Sequence, residues 1–451
     1  MNPSENPLGA EPVSVLLRRF AVPSVIAMLV SALYNMVDQL FIGHSIGVLG
    51  NAATNVAFPL SMVCTSIGLL CGIGGAANFN LCMGRKETEH AKSYVGNAVS
   101  MLAILGVILC IAVQLFLRPM MILFGATADV LTYACTYTRI TSIGFPFLIV
   151  TIGGSNLIRA DGSPNYSMAC NLVGAVVNSI LDPLFIFVFH MDVQGAALAT
   201  VISQAVSAAF VLRFLTGRQT ILHLKRRLLR LNWKLLAPCV ALGLAPFIMQ
   251  STESLVSVCF NTSLRAAGGT LAVGTMTICS TLMQFALLPL QGLSQGAQPI
   301  ISFNYGAKRP ERVKAAFRIL LISCLSFSLV LGLTCIFAPQ IFVYLLTPDE
   351  ALRAYAIPCV RLYMAGVTIF GAQIACQQTF VALGNAKCSL FLACLRKLIL
   401  LIPLVYLLPL FISDTVFAIF LAEPIADVLA VLCTVTLFAH VFRKTMRGIA
   451  A

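Results

Sequence analysis

Charged residues are scarce in this chain of 451 residues. Asp, Glu, Lys and Arg together make up only 10% of it, whereas 59% of the residues are hydrophobic. Soluble domains carry about 25% charged residues, so this chain lacks the polar side chains that would cover a soluble surface. The composition therefore excludes a soluble globular enzyme, a disordered tail protein and a secreted scaffold held by disulfides.

Paired metal ligands are also missing from the sequence. The 16 cysteines lie singly, and no CxxC pair or Cys/His cluster at zinc spacing occurs. We therefore expect no disulfide framework, no cofactor and no metal centre other than a site for a coupling Na⁺. The net charge of +13 is spread over short segments between apolar stretches, which indicates contact with membrane lipids and not with nucleic acid.

Long apolar stretches recur along the whole chain. A helix that crosses a bilayer needs about 20 such residues, and the sequence predicts twelve spans. They cover residues 20–42, 52–76, 93–117, 131–158, 165–189, 193–216, 235–262, 270–298, 313–338, 350–382, 389–411 and 416–441. The expected fold is an all-α integral membrane protein with twelve transmembrane helices.

The basic residues predict the orientation of these spans. Segments on one side hold 24 of the 29 Lys and Arg residues, among them Arg396 and Lys397. The other side holds Arg118, Arg139, Arg265, Arg353 and Arg361. Because basic segments stay in the cytoplasm, we expect both termini to be cytoplasmic.

An internal repeat relates the two halves of the chain at an offset of 222 residues. It pairs Gly84 with Gly306, Lys86 with Lys308, Tyr133 with Tyr355, Arg139 with Arg361 and Gly162 with Gly384. Each half has six spans, so the repeats are parallel, an arrangement that transporters use for alternating access. We predict an N-lobe at 1–216, a basic cytoplasmic linker at 217–234 that lies on anionic headgroups, and a C-lobe at 235–451.

Acidic residues inside the spans are the first candidates for function, because burying a carboxylate in a membrane is costly. Asp38 and Asp182 are predicted to lie at similar depth in the outer half of the N-lobe, with Tyr137, Asn178 and Thr200 around them. Such a group of oxygen atoms suits the binding of H⁺ or Na⁺. The alternative is that these side chains only join helices by hydrogen bonds.

A second acidic group lies in the predicted C-lobe. Glu423 and Asp427 are spaced i, i+4 and so share a helix face, and Glu253 lies in the seventh span. They could attract a cationic substrate, or they could pair with Arg265, Arg361 or backbone groups. In the first span Pro23 removes a backbone hydrogen bond, and we expect it to act either as a hinge or as a static kink.

Several motifs resemble those of the multidrug and toxic compound extrusion (MATE) family. They are Pro23, Tyr34, Asp38 and Phe41-Ile42-Gly43, then GLLCGIGGAAN at 68–78, IRADGSPNYSM at 158–168, STESLV at 251–256 and QGLSQGAQPIISFNYGAK at 291–308. The resemblance covers nearly the whole chain. It points to a bacterial subgroup of exporters in the plasma membrane.

The resemblance implies a secondary active exporter of organic cations and drugs, driven by inward H⁺ or Na⁺, and a monomer. The family's coupling network matches Asp38, Tyr137, Asn178, Asp182 and Thr200, and an acid on the seventh helix of another branch matches Glu253. That branch also uses an acid on the tenth helix, which is absent from 361–382.

Three other functions are weighed against this one. A lipid-linked oligosaccharide flippase of the same superfamily would need a basic cavity. An integral-membrane enzyme such as a prenyltransferase would need a DDxxD or HExxH motif, and the sequence has neither. A channel would need symmetric rings of charge, which the uneven distribution of acids disfavours.

Overall fold

The fold is seen in a computed structural model that describes residues 6–217, 220–221 and 224–450, without the side chains of residues 44–46, 48, 226, 449 and 450. In this part of the chain the regular structure is helical throughout. A short helical turn, Pro7–Ala10, precedes the first long helix.

Six long helices form the first half. They are α1 (Val13–Ile46), α2 (Val48–Gly84), α3 (Thr88–Leu123), α4 (Ala128–Ala160), α5 (Pro164–Val188) and α6 (Asp192–Thr216). A 3-10 turn at Ser142–Gly144 interrupts α4, and α5 ends in a π-helical turn, Leu184–Val188. Helix α1 runs through Pro23 without a break, and the hinge role of this residue stays a prediction.

The second half begins with one continuous helical stretch, Trp233–Gly306, that contains two helices. Gly269 has a left-handed φ of 64° and separates α7 (233–268) from α8 (270–306). Then come α9 (Pro310–Phe337), a short helix Pro339–Leu346, α10 (Glu350–Ala382), α11 (Ala386–Phe411) and α12 (Thr415–Ala450). All twelve predicted spans lie on these helices, which confirms the all-α membrane fold.

The backbone itself repeats at the offset of 222 residues. Left-handed glycines occur at Gly47 and Gly269, and again at Gly162 and Gly384. The 3-10 turn Ser142–Gly144 in α4 corresponds to the 3-10 turn Met364–Gly366 in α10. Only residues without a Cβ enter the left-handed region readily, so the sequence match at these glycines reflects matching turns.

Two large hydrophobic clusters form the core. One joins buried residues of α2 to α6, including Phe79, Leu102 and Phe145. The other joins α7 to α12 and also takes in Leu16 and Phe20 from the start of α1. The start of α1 therefore belongs to the second cluster, while Ile42 near its end packs with Ile186 and Ala196 of the first half. The division at 217–234 into N-lobe, linker and C-lobe stays a prediction.

The described part of the linker packs against α3. The backbone N–H of Asn232 donates to Asn97 Oδ1 at 2.7 Å, and Ser100 Oγ donates to the carbonyl of Leu229 at 2.8 Å. In the same contact, the carbonyl oxygen of Leu228 lies so close to Gly96 that a Cβ on this glycine would be 2.3 Å away. The linker thus has a fixed protein partner, and its contact with lipid headgroups stays a prediction.

Candidate functional site

The two acids predicted for ion coupling meet inside the first half. Asp38 of α1 is 8% exposed and Asp182 of α5 is fully buried, and their carboxyl groups are within hydrogen-bond reach of each other. Asn178, one turn before Asp182, donates from Nδ2 to Asp182 Oδ1 at 3.3 Å. Packing of α1 on α5 creates this contact between residues that are far apart along the chain.

Hydroxyl groups surround the two carboxyls. Tyr137 of α4 lies near both acids and hydrogen bonds with the side chain of Thr200 on α6. Tyr34, one turn before Asp38 on α1, also lies near both acids. Sequence reasoning did not place Tyr34 in the site, although its i, i+4 spacing from Asp38 could have done so.

This arrangement fits a proton or a hard cation. Among the described side chains, Asp38 Oδ1 and Asp182 Oδ2 are buried without a hydrogen-bond partner. Two carboxylates in contact repel each other unless a proton or cation lies between them. The atoms that could bind a cation are oxygens, which Na⁺, like other hard cations, prefers as ligands. The described residues hold no group of three or more His, Cys, Asp or Glu that is placed to bind a metal ion.

The second acidic group is bound by basic residues of the same half. Arg396 on α11 donates from Nη2 to Glu423 Oε1 and from Nε to Asp427 Oδ1, both at 2.7 Å. Lys397 donates to Glu253 and also to the carbonyl of Met249 at 3.2 Å. The three predicted substrate acids are thus not brought into one open group.

The positions of Arg396 and Lys397 correct the sequence analysis. They were counted with the cytoplasmic segments, but they lie in the π-helical turn Leu395–Leu401 inside α11 and are 5% and 3% exposed. The acids on α7 and α12 neutralise them there, which offsets the cost of burying them. The acids are paired, as the alternative expected, but their basic partners are Arg396 and Lys397, and Arg361 donates instead to the carbonyl of Ile336 at 2.8 Å.

A cavity lies between the two halves. It is lined by parts of α2, α7, α8, α10 and α11. Five glutamines supply most of its polar lining, and none of the lining residues is charged. The lining residues are Leu69, Ile73, Ala245, Pro246, Met249, Gln250, Gln291, Ser294, Gln295, Ile374, Gln377, Gln378, Val381 and Ser389.

Close contacts between the halves lie at the end of the molecule where α2 and α8 finish. A Cβ on Gly84 would be 2.2 Å from the carbonyl oxygen of Phe303, and one on Gly306 would be 2.2 Å from that of Leu81. Deeper in, Arg159 donates to Asn156 Oδ1 at 3.1 Å and to Gln295 Oε1 at 2.8 Å. Arg159 was expected in a basic loop, but it is 3% exposed because amides from both halves enclose it.

Comparison with known proteins identifies the family. The MatE sequence family matches residues 23–184 and again residues 245–407. The chain belongs to the MatE family. The two matched segments begin 222 residues apart, in agreement with the repeat. As a member of this family, the MatE protein is a transporter and not an enzyme.

Individual relatives resemble this MatE protein over almost its full length. The multidrug export protein MepA of Staphylococcus aureus (strain N315) is 25% identical over 422 residues, which cover 93% of each chain. The MepA of Staphylococcus haemolyticus (strain JCSC1435) is 25% identical over 417 residues, 92% of this chain and 91% of that one.

Solved structures agree with this assignment. The MATE multidrug transporter DinF-BH, solved in complex with a ligand, is 33% identical, with a TM-score of 0.88 and 98% of each chain covered. An outward-facing multidrug resistance MATE transporter of the MOP superfamily has a TM-score of 0.91 at 21% identity, covering 97% of this chain and 98% of that one. The expected family and fold are thus confirmed.

Proposed function

We propose that this protein is a secondary active multidrug exporter of the bacterial plasma membrane, with both termini in the cytoplasm. It acts as a monomer and exchanges inward-moving H⁺ or Na⁺ for outward-moving drugs, organic cations among them. The export functions of its MepA relatives support the substrate class. The observation that carries the coupling mechanism is the contact between Asp38 and Asp182 in a buried oxygen-rich site.

In this mechanism the coupling ion binds between the two carboxyls and relieves their repulsion. Tyr137, Asn178 and Thr200 hold the site in shape through hydrogen bonds, and Tyr34 lies beside it. Because Asp38 lies on α1, whose start packs in the cluster of the second half and whose end packs on the first half, ion binding changes how α1 sits between the halves. The ion then biases the protein between states that open to opposite sides, as any ligand that binds one state better must do.

The driving force is large enough for uphill export. One charge that moves inward through 100 mV releases about 2.3 kcal/mol, and one pH unit adds about 1.4 kcal/mol. Together these energies sustain a concentration ratio of about 500 for an uncharged drug exchanged one for one with H⁺.

The uncharged cavity lining favours drugs over the flippase alternative. A pyrophosphate-linked lipid would need several basic groups, whereas the residues that line the cavity carry none.

Everted membrane vesicles test the proposal. A fluorescent amphipathic dye is added outside, and pH and Na⁺ gradients are imposed separately. We expect one of the two gradients to drive accumulation of the dye inside the vesicles. Vesicles that take up dye equally with and without either gradient would refute coupled export. Vesicles from cells that lack the protein give the background rate.

A further inference from the structure

Every acid beside the central cavity is bound by a basic residue of the protein. Glu253 lies one turn beyond Gln250 of the cavity lining, and Lys397 binds its carboxylate. Behind it, Arg396 binds both Glu423 and Asp427. A cationic drug that enters the cavity therefore meets no free carboxylate among these three acids.

Lys397 is held firmly in this position. Its Nζ donates to Glu253 and to the carbonyl of Met249, a residue of the cavity lining. The side chain of Lys397 is 4% exposed and that of Glu253 is 32% exposed. The lysine thus binds the carboxylate on the side that faces the protein interior and neutralises it there.

Another cation lies beside the cavity. Arg159 donates to Gln295 of the lining at 2.8 Å, and its Nε has no hydrogen-bond partner among the described residues. The three acids carry as many negative charges as Lys397, Arg396 and Arg159 carry positive ones, so the surroundings of the cavity have no net negative charge. Electrostatics alone then gives a positively charged drug no advantage over an uncharged one.

The lining instead offers amide groups that a ligand can take over. Gln250 donates to the sulfur of Met62 at 3.2 Å, and Gln377 donates to the sulfur of Met249 at 3.1 Å. A thioether is a weak acceptor, so a carbonyl or hydroxyl of a ligand replaces it at little cost. Leu69, Ile73 and Ile374 supply the apolar walls for an aromatic ring system.

We propose that Lys397 determines the substrate class of this exporter. By neutralising Glu253 it makes the central cavity electrically neutral, so the cavity accepts uncharged and zwitterionic aromatic amphiphiles as readily as cations. The glutamine amides orient these ligands by hydrogen bonds. This inference rests on the proposed export function, in that it takes the cavity as the place where the exported drug binds.

Binding of two matched dyes tests the inference. A cationic rhodamine ester and the zwitterionic rhodamine acid with the same ring system are titrated with the purified protein, and fluorescence polarisation gives each Kd. For the wild type we expect the two Kd values to agree within about threefold. A cationic preference greater than this would overturn the inference.

Substitutions at the ion pair sharpen the test. Lys397→Gln frees the carboxylate of Glu253, and we expect the preference for the cationic dye to rise about tenfold or more. Lys397→Arg keeps the charge and serves as the matched control. We expect it to show the wild-type ratio of the two Kd values. An unchanged ratio in a folded Lys397→Gln protein would overturn the role of Lys397.

A double variant covers the case in which Lys397→Gln does not fold. Lys397→Gln with Glu253→Gln removes both charges, and we expect both dyes to bind as they do to the wild type. A loss of about tenfold for the cationic dye alone would show that Glu253 attracts cations in spite of Lys397, contrary to the inference.

Transport measurements separate this inference from the proposed function. Binding of both dyes without gradient-driven uptake in everted vesicles would refute coupled export and leave the neutral cavity supported. Gradient-driven uptake of the cationic dye alone would support export and refute the neutral cavity. If neither dye binds, the neutral cavity is also refuted.

Discussion

Arg396 on α11 donates from Nε to Asp427 Oδ1 on α12 at 2.7 Å, and both side chains are buried. The same guanidinium binds Glu423 at 2.7 Å through Nη2. Its face also lies over the ring of Phe370, 4.3 Å from the ring centroid. One arginine therefore binds acids at two positions of α12 and joins that helix to α11.

Loss of this arginine should destabilise the protein strongly. Arg396→Met leaves two buried carboxylates without a partner, and we expect a loss of about 3–5 kcal/mol in the free energy of unfolding. Thermal unfolding in detergent measures the loss. Lys314→Ala removes an exposed partner of Glu311 and should cost about 0–1 kcal/mol. Restoring neutrality with Glu423→Gln and Asp427→Asn should recover most of the stability, and failure to do so would contradict the charge argument.

Neutral substitutes at the coupling site should separate export from binding. Asn has the shape of a protonated Asp but cannot release a proton, so Asp38→Asn and Asp182→Asn should each abolish uphill export. Dye binding to the purified proteins should change by less than about threefold, since the central cavity lies elsewhere. Uphill export at wild-type rates by both variants would place the coupling site outside the first half.

The contact of Gly84 with α8 should not tolerate a side chain. The Cβ of Gly84→Ala would be 2.2 Å from the backbone carbonyl of Phe303, so the two halves must separate there. We expect a loss of about 1–3 kcal/mol in the stability of this closed conformation, and increased alkylation of the buried Cys239, read by mass spectrometry. Gly448→Ala is the control, because nothing lies within 4 Å of the added methyl group.

Asp161, in the loop between α4 and α5, should make stability depend on pH. Burial raises the pKa of this carboxyl from 3.8 to about 7, even though Thr220 and the backbone of Ile221 hydrogen bond to it and oppose the shift. The folded protein therefore holds a proton that the unfolded chain has lost, so this contribution to stability is complete below about pH 4 and disappears as the pH rises to about 7.

Asp161→Asn isolates this contribution. The melting temperature of the wild type should fall relative to that of the variant as the pH rises from about 4 to about 7, and the difference should stay constant at higher pH. Thr220→Val removes a hydrogen bond that favours the ionised form and should move the upper end of the window to higher pH. A difference that does not change with pH would show that Asp161 titrates alike in both states.

The predicted orientation can be tested at the linker. Lys225→Cys lies in the 217–234 segment and Glu350→Cys lies at the start of α10, which the pattern of basic residues assigns to the other side. An impermeant thiol reagent added to intact cells should label Glu350→Cys above the background of native cysteines and leave Lys225→Cys unlabelled. The reverse result would invert the topology.

The sequence determined the helices and the repeat. Apolar stretches of sufficient length have to form helices in a bilayer, where every backbone polar group needs a partner within its own segment. Glycines at matching positions, such as Gly47 and Gly269, preserve the turns of both halves. Both properties depend on the local sequence, so they can be inferred from composition and spacing.

The sequence also suggested which residues belong to the coupling site. Depth along each span depends only on residue number, so Asp38 and Asp182 were expected at the same level. Their direct contact depends on how α1 packs against α5, which is a property of the folded chain.

Only the tertiary structure decided how the charged residues of the second half are paired. Arg396 and Lys397 follow Lys387 closely in the sequence and there resemble the basic residues of a cytoplasmic segment. Their partners, Glu253, Glu423 and Asp427, lie on α7 and α12, at least 27 residues away along the chain. A charge inside a membrane protein needs a polar or oppositely charged partner, which for Arg396 and Lys397 comes from other helices, and spacing along one chain does not specify which helices meet.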